Sequence, residues 1–445
     1  MKKTIKLSDH FTYGKLIRFV LPSIVMMIFT SIYSVVDGLF VSNFVGKTPF
    51  VAVNLVYPLL MIMGAVGFML GAGGTAIVAK TLGQGEPETA NRYFSMLVYA
   101  SIGAGIILTT IGLCLLRPVS YMLGARGEVL EDCVIYGRII LLAIPCFMLQ
   151  FLFQSFFVTA EKPGLGLAVT VAAGLTNIVL DALFVAAFHW GLVGAAVATA
   201  LSQVVGGIAP LIYFARKNSS LLHLGRTAFY GRVLLRACTN GASELLSNIS
   251  ASIVTVLYNF QLLRLAGEDG VAAYGVIMYV AFFFAAVFIG YSVGSAPLVS
   301  YQFGAENHSE LQNLYRKSLV FITCSGVGMV ILSLLLSGPL SQLFVGYDRE
   351  LYLLTVRGFR FYAPAFLLSG VNIFGSAFFT ALNNGAVSGL LSFLRTLVFQ
   401  CICIVALPAI WGVDGIWSAV IAAEGMALIV TVTFLLRYRK KYHYA

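Results

Sequence analysis

Asp37 and Asp181 both lie inside long apolar runs, the second within TNIVLDALFV at 176–185, where Asn177 stands four residues ahead of it. A carboxylate at the middle of a bilayer costs roughly 2.5–3.5 kcal/mol on insertion scales. It therefore needs a proton, a partner or a wet cavity. With a helical rise of about 1.5 Å per residue, Asp37 in the first apolar run, Asp181 in the fifth and Thr199 in the sixth fall within about one turn of the same depth. Asn177 lies one turn below Asp181 on the same helix face. Two carboxyls, an amide oxygen and a hydroxyl make an oxygen-rich set. Such a set holds a small hard cation, with Na+ possible at Asp37 and Asp181, or shares a proton between the acids. The ion-coupling candidates are thus Asp37, Asn177, Asp181 and Thr199. The ion expected there is H+ or Na+; no resident metal and no other cofactor is expected.

The elements that must carry these residues follow from composition. Of 445 residues, 59% are hydrophobic and only 10% charged, with a mean hydropathy of +0.92. A soluble chain of this length carries about 25% charged residues. The chain reads as an all-α polytopic membrane protein whose partner is the lipid bilayer. Twelve spans are predicted, at about 15–40, 53–78, 94–117, 134–158, 166–188, 192–214, 238–265, 271–297, 319–340, 351–379, 386–409 and 416–436. The basic start, with Lys2, Lys3, Lys6, Lys15 and Arg18, resembles a secretory leader. The run that follows is long enough to span and shows no small-residue cleavage site, so it reads as a retained first span.

Charge sets the orientation. With the amino terminus inside, the inner segments hold nineteen of the 28 Lys and Arg and the outer segments eight, with Arg395 left inside a span. The positive-inside rule then places both termini in the cytoplasm, in a plasma or inner membrane. Attraction to an anionic inner leaflet accounts for the net charge of +10 without nucleic acid.

A constant shift of 221 runs through the chain. Trp190-Gly191-Leu192-Val193-Gly194 recurs as Trp411-Gly412-Val413-Asp414-Gly415, Gly164 falls on Gly385, Thr159-Ala160 on Thr380-Ala381, and Gly83 on Gly304. Two parallel six-helix repeats are expected, because six is even and both copies enter from one side. The expected organisation is a bundle over 1–214 that couples the ion, a linker over 215–237, a second bundle over 238–436 and a basic tail over 437–445. Two such bundles enclose a cleft, and rocking them gives alternating access.

The acidic pair is not duplicated, since the shift carries Asp37 to Tyr258 and Asp181 to Ile402. The second half instead has Glu244 near the inner end of its first span, Arg395 at mid-span and Glu424 in the last span. Glu424 with Arg395 reads equally as a structural ion pair or as a substrate contact. Adaptable apolar side chains are expected on the cleft walls. Met26, Met61 and Phe283 are candidates, together with Tyr33, Gln203, Glu244, Arg395 and Glu424. Pro22 is the candidate hinge of the first span.

No catalytic residue is assigned. The five histidines lie in loops, termini or span ends, without an HExxH pattern, a phosphate loop or a serine elbow. The seven cysteines read as small apolar packers.

The segments VVDGLFVSNFVG at 35–46, GQGE at 83–86, TNIVLDALFV and WGLVGAAVATALSQ at 190–203 resemble the multidrug and toxic compound extrusion (MATE) transporters, and within them the MepA/DinF-like branch. The resemblance covers essentially the whole chain. It implies two V-shaped bundles and an antiporter, a monomer, that exports small amphipathic cationic molecules against H+ or Na+. In one branch a first-span aspartate, a fifth-span Asn and Asp and a sixth-span Thr form the ion site, matching Asp37, Asn177, Asp181 and Thr199. The alternative is a flippase of lipid-linked or polysaccharide precursors.

Overall fold

The computed structural model describes residues 5–445, apart from the side chains of Leu39, Ser42 and Lys47. Lys2 and Lys3, counted above, lie outside it. The described residues form fourteen α-helices: α1 (Tyr13–Phe40), α2 (Lys47–Gly83), α3 (Pro87–Met122), α4 (Gly127–Thr159), α5 (Pro163–Asp181), α6 (Gly191–Ala215), α7 (Gly231–Asn240), α8 (Ala242–Gly304), α9 (His308–Val345), α10 (Arg349–Tyr362), α11 (Ala365–Ala381), α12 (Gly385–Phe393), α13 (Phe399–Trp411) and α14 (Val413–Tyr442). Helices suit a chain in lipid because each satisfies its own backbone polar groups.

Ten stretches of helix are long and apolar enough to cross a membrane. One of them, α8, is 63 residues long and contains Gly267 at φ 64°, ψ −154°, which divides it into two spans. The bent pair α10–α11 supplies one more, so with α8 divided the described residues hold the expected twelve. The span predicted over 351–379 is broken into helices meeting at 47°, with Pro364 as the cap of α11. Proline lacks the N–H that would continue the ladder. Past 436, where a tail was expected, α14 continues to Tyr442, and Tyr444 is buried against Tyr315 and Phe378. The linker is extended from Arg216 and ends in the amphipathic α7, packed on α2.

The repeat is written into the backbone. Gly191 and its equivalent Gly412 share φ 58°, and Gly85 and Glu306 are both left-handed, at 82° and 54°. Helices α5 and α12, which correspond in the two repeats, start by different chemistry. Pro163 opens α5, whereas the Asn384 side chain caps α12 by accepting the Val387 N–H.

The end of the molecule holding both termini is here termed the base and the opposite end the mouth. Apolar clusters near the base cross between the bundles. One joins Leu16, Phe19, Val20 and Ile24 of α1 to Phe284, Phe288 and Tyr291 of α8. Clusters nearer the mouth stay within one bundle: one is built from residues 45–196, another from 254–426. The bundles are therefore sealed at the base. At that seal α2 and α8 cross reciprocally. A Cβ on Gly83 would fall on the Tyr301 carbonyl oxygen, and a Cβ on Gly304 on that of Lys80. The shift of 221 relates Gly83 to Gly304 and Lys80 to Tyr301, so equivalent segments of the two repeats meet across their pseudo-twofold axis. Only glycine permits so close an approach.

Candidate functional site

Helices α1, α5 and α6 bring Asp37, Asn177 and Thr199 together. Thr199 Oγ1 donates to Asp37 Oδ1 at 3.3 Å, and Asn177 Nδ2 lies 3.5 Å from Asp37 Oδ1 and 3.4 Å from Thr199 Oγ1. These are long contacts, beyond the usual 2.7–3.2 Å. Asp181 is fully buried beside them, its carboxyl within hydrogen-bonding reach of that of Asp37. Neither Asp181 carboxyl oxygen, nor Asn177 Oδ1, accepts from an N–H or hydroxyl donor among the described residues. Asp37 and Thr199 are half-buried, which gives the set an open side. No Lys or Arg pairs with either aspartate among the described residues. A buried carboxyl without a cation or donor carries a large desolvation cost. The arrangement suits protonation or a small cation, either of which removes that cost.

Three π-helical turns mark the polar positions. Val41–Val45 follows Asp37 by one turn, Ala182–Ala187 starts directly after Asp181, and Leu394–Val398 contains Arg395. Such turns widen a helix and are frequent at functional sites.

Sequence reasoning named Tyr33 and Gln203 for the cleft but missed Tyr57, Tyr136, Gln150 and Gln154 around the set. Tyr136 on α4 approaches Thr199 with its hydroxyl. Tyr33, one turn from Asp37, lies beside Tyr57 and Gln150. Gln203, one turn from Thr199, is buried with its Oε1 unpartnered, and both polar atoms of the Gln154 side chain are unpartnered too. The available signal was an amide every fourth residue, at 150 and 154 on α4, inside an apolar run.

The second bundle resolves its polar residues differently. Arg395 Nε donates to Glu424 Oε1 and Oε2 at 3.0 and 3.1 Å. Asn372 Nδ2 donates to Glu424 Oε2 at 2.7 Å. The Glu424 side chain is 5% exposed and that of Arg395 20%. A cavity of about 140 Å³ opens against this ion pair, lined by Met278, Phe282, Tyr362, Phe366 and Ser369. Glu244 sits in the first turn of α8, at the base, within electrostatic reach of Arg395. Among the remaining candidates, Met61 is half-buried and Phe283 is 40% exposed. Met26 is 1% exposed, packed into the protein rather than set on a cleft wall. Pro22 lies inside α1, flanked by Val20, Ser23 and Ile24 where they press on Gly290 and Gly294.

The profile of the MatE family matches residues 22–183 and again 245–405, once in each bundle. A multidrug export protein MepA from Staphylococcus haemolyticus is 24% identical over 430 residues, covering 96% of this chain and 94% of that protein. The protein of the same name from Staphylococcus aureus (strain MRSA252) is 24% identical over 431 residues, with the same coverage of both. Among solved structures, a MATE protein in complex with MaL6 superposes with a TM-score of 0.93 at 22% identity, over 100% of both chains. An outward-facing multidrug resistance MATE transporter of the MOP superfamily gives 0.91 at 22%, again over both full chains.

Proposed function

Because the chain belongs to the MATE family of multidrug export transporters, we propose that it is a secondary antiporter expelling lipophilic cationic molecules in exchange for H+ or Na+. The observation that carries this reading is the meeting of Asp37, Asn177, Asp181 and Thr199 around carboxyls with no cationic partner. Both termini and the base face the cytoplasm, in keeping with the excess of Lys and Arg in those segments. The sealed base then corresponds to a state open to the outside.

In this reading the ion enters from the mouth and reaches Asp37 first, since that side of the set is half-buried rather than closed. Neutralising the two carboxyls removes their mutual repulsion and draws α1 and α5 together. Pro22 leaves one carbonyl of α1 without its helical donor, so the bend concentrates there. That point touches α8 at Gly290 and Gly294, which links ion occupancy in one bundle to packing against the other. Substrate lies between the bundles against Tyr33, Met61 and Phe283. A flippase for anionic lipid-linked precursors has less support, because the one mid-membrane arginine is spent on Glu424.

The test is dye efflux from vesicles holding the purified protein, under an imposed pH gradient and then a sodium gradient, with several cationic dyes. Efflux driven by one gradient and absent in Asp37→Asn/Asp181→Asn is expected. Unchanged gradient-driven efflux by that folded double variant overturns the proposal.

A further inference from the structure

A second cavity, of about 390 Å³, lies at the base where three parts of the chain meet. Lys80, Thr81 and Gln84 come from the end of α2, Arg236, Thr239 and Asn240 from α7, and Asn383 with Gly385 from the turn between α11 and α12. The first bundle, the linker and the second bundle each contribute a wall. Two of the lining residues are cations and none is a carboxylate. Neither Lys80 nor Arg236 has an ion pair among the described residues; Lys80 Nζ has only the Phe303 ring, 5.0 Å from its centroid.

Several of the other polar atoms are already satisfied. Thr81 donates to the Ile77 carbonyl, Thr239 to that of Arg236 and Asn383 Nδ2 to that of Ala76. Asn240, 3% exposed, donates from Nδ2 to the Thr380 carbonyl at 2.9 Å. The cavity therefore holds two unneutralised cations and no carboxylate to balance them.

A phosphate ester supplies the negative charge that two unneutralised cations call for. The linker that forms one wall also exposes Phe229 and Leu235, at 77% and 66%, beside Arg226 and Arg232, the pattern of a segment lying at lipid headgroup level. We propose that this cavity binds an anionic phosphate ester, the chemistry shared by the phosphatidylglycerol headgroup and soluble glycerol phosphate. Its phosphate lies between Lys80 and Arg236. Because both bundles build the site, it exists only while the base is sealed. By mass action its occupant holds that state closed, a consequence that rests on the rocking of the bundles.

Native mass spectrometry of the full-length protein in detergent tests the binding without transport. The probes are phosphatidylglycerol, phosphatidylcholine, glycerol 3-phosphate and inorganic phosphate. Saturable binding of phosphatidylglycerol, with phosphatidylcholine much weaker, is expected. Lys80→Gln/Arg236→Gln weakens it roughly tenfold or more, while Arg437→Gln/Arg439→Gln, outside the cavity lining, does not. The exposed Arg236→Gln alone keeps the question open to measurement if the double variant misfolds; it weakens binding about fivefold. Glycerol 3-phosphate binding as tightly as the lipid assigns the site to a soluble ester. Equal binding of phosphatidylglycerol by the wild type and the Lys80/Arg236 variants overturns the proposal, as does equal binding of phosphatidylcholine. Failure of gradient-driven efflux touches the antiport reading and leaves this result standing.

Discussion

In the first bundle, Asp37 stands 3.3–3.5 Å from Thr199 and Asn177, and Asp181 lies beside it with neither oxygen accepting from an N–H or hydroxyl donor among the described residues. In the second, Glu424 accepts from Asn372 at 2.7 Å and is clasped by Arg395. The two halves share a family profile and a backbone plan, and both place acids inside the bilayer. One half leaves the carboxyls wanting a positive charge; the other supplies that charge from its own chain. A fixed guanidinium cannot leave, whereas a proton or sodium ion can. An ion that comes and goes is what coupling requires, so the unsatisfied set is the one suited to drive transport.

Breaking the contrast at its strong end gives the largest effect. Asp37→Asn/Asp181→Asn is expected to reduce gradient-driven dye efflux to the level of protein-free vesicles while the detergent-solubilised protein keeps its melting temperature. Next comes the other bundle. Arg395→Met strands Glu424 as a buried charge and is expected to cost about 3–5 kcal/mol of stability. Adding Glu424→Gln restores most of it, because the neutral side chain still accepts from Asn372. Thermal unfolding of the single and double variants reads this directly, and an undiminished melting temperature in Arg395→Met refutes the structural role of the pair.

The seal at the base comes third. Gly83→Val places a branched side chain against the Tyr301 carbonyl and is expected to part the bundles there. Greater maleimide labelling of a cysteine introduced at Gln84 measures the change. Thr199→Val has the smallest expected effect. It removes one hydroxyl from Asp37, worth about 1 kcal/mol, or roughly fivefold in the ion concentration that half-saturates efflux. An identical concentration dependence excludes Thr199 from the ion site.

Residue types alone made the membrane class, the twelve spans and the doubling legible. Apolar length, the side on which basic residues gather and the shift of 221 are one-dimensional signals. The depths of Asp37, Asp181 and Thr199 were legible as well, since helical rise converts residue number into height. Rotation about each helix axis was not. Met26 was expected on a cleft wall and is buried, because in a nearly uniform apolar run no polar stripe shows which face turns inward. Tyr136, Tyr57 and the Gln150–Gln154 pair escaped notice for the same reason. Their participation depends on neighbours from other helices.

What the sequence by itself determined is how the chain lies in the bilayer: where it crosses, that it does so as two copies, and at what heights its few ionisable groups sit. Only the tertiary structure decided which of those groups meet. Arg395 and Glu424 lie 29 residues apart on neighbouring spans, and Asp37 and Asn177 lie 140 apart. The first pair closes into a salt bridge, while the aspartates have no cationic partner among the described residues. Rise along a helix is a property of the chain, but the facing of one helix toward another comes from packing shared by all of them.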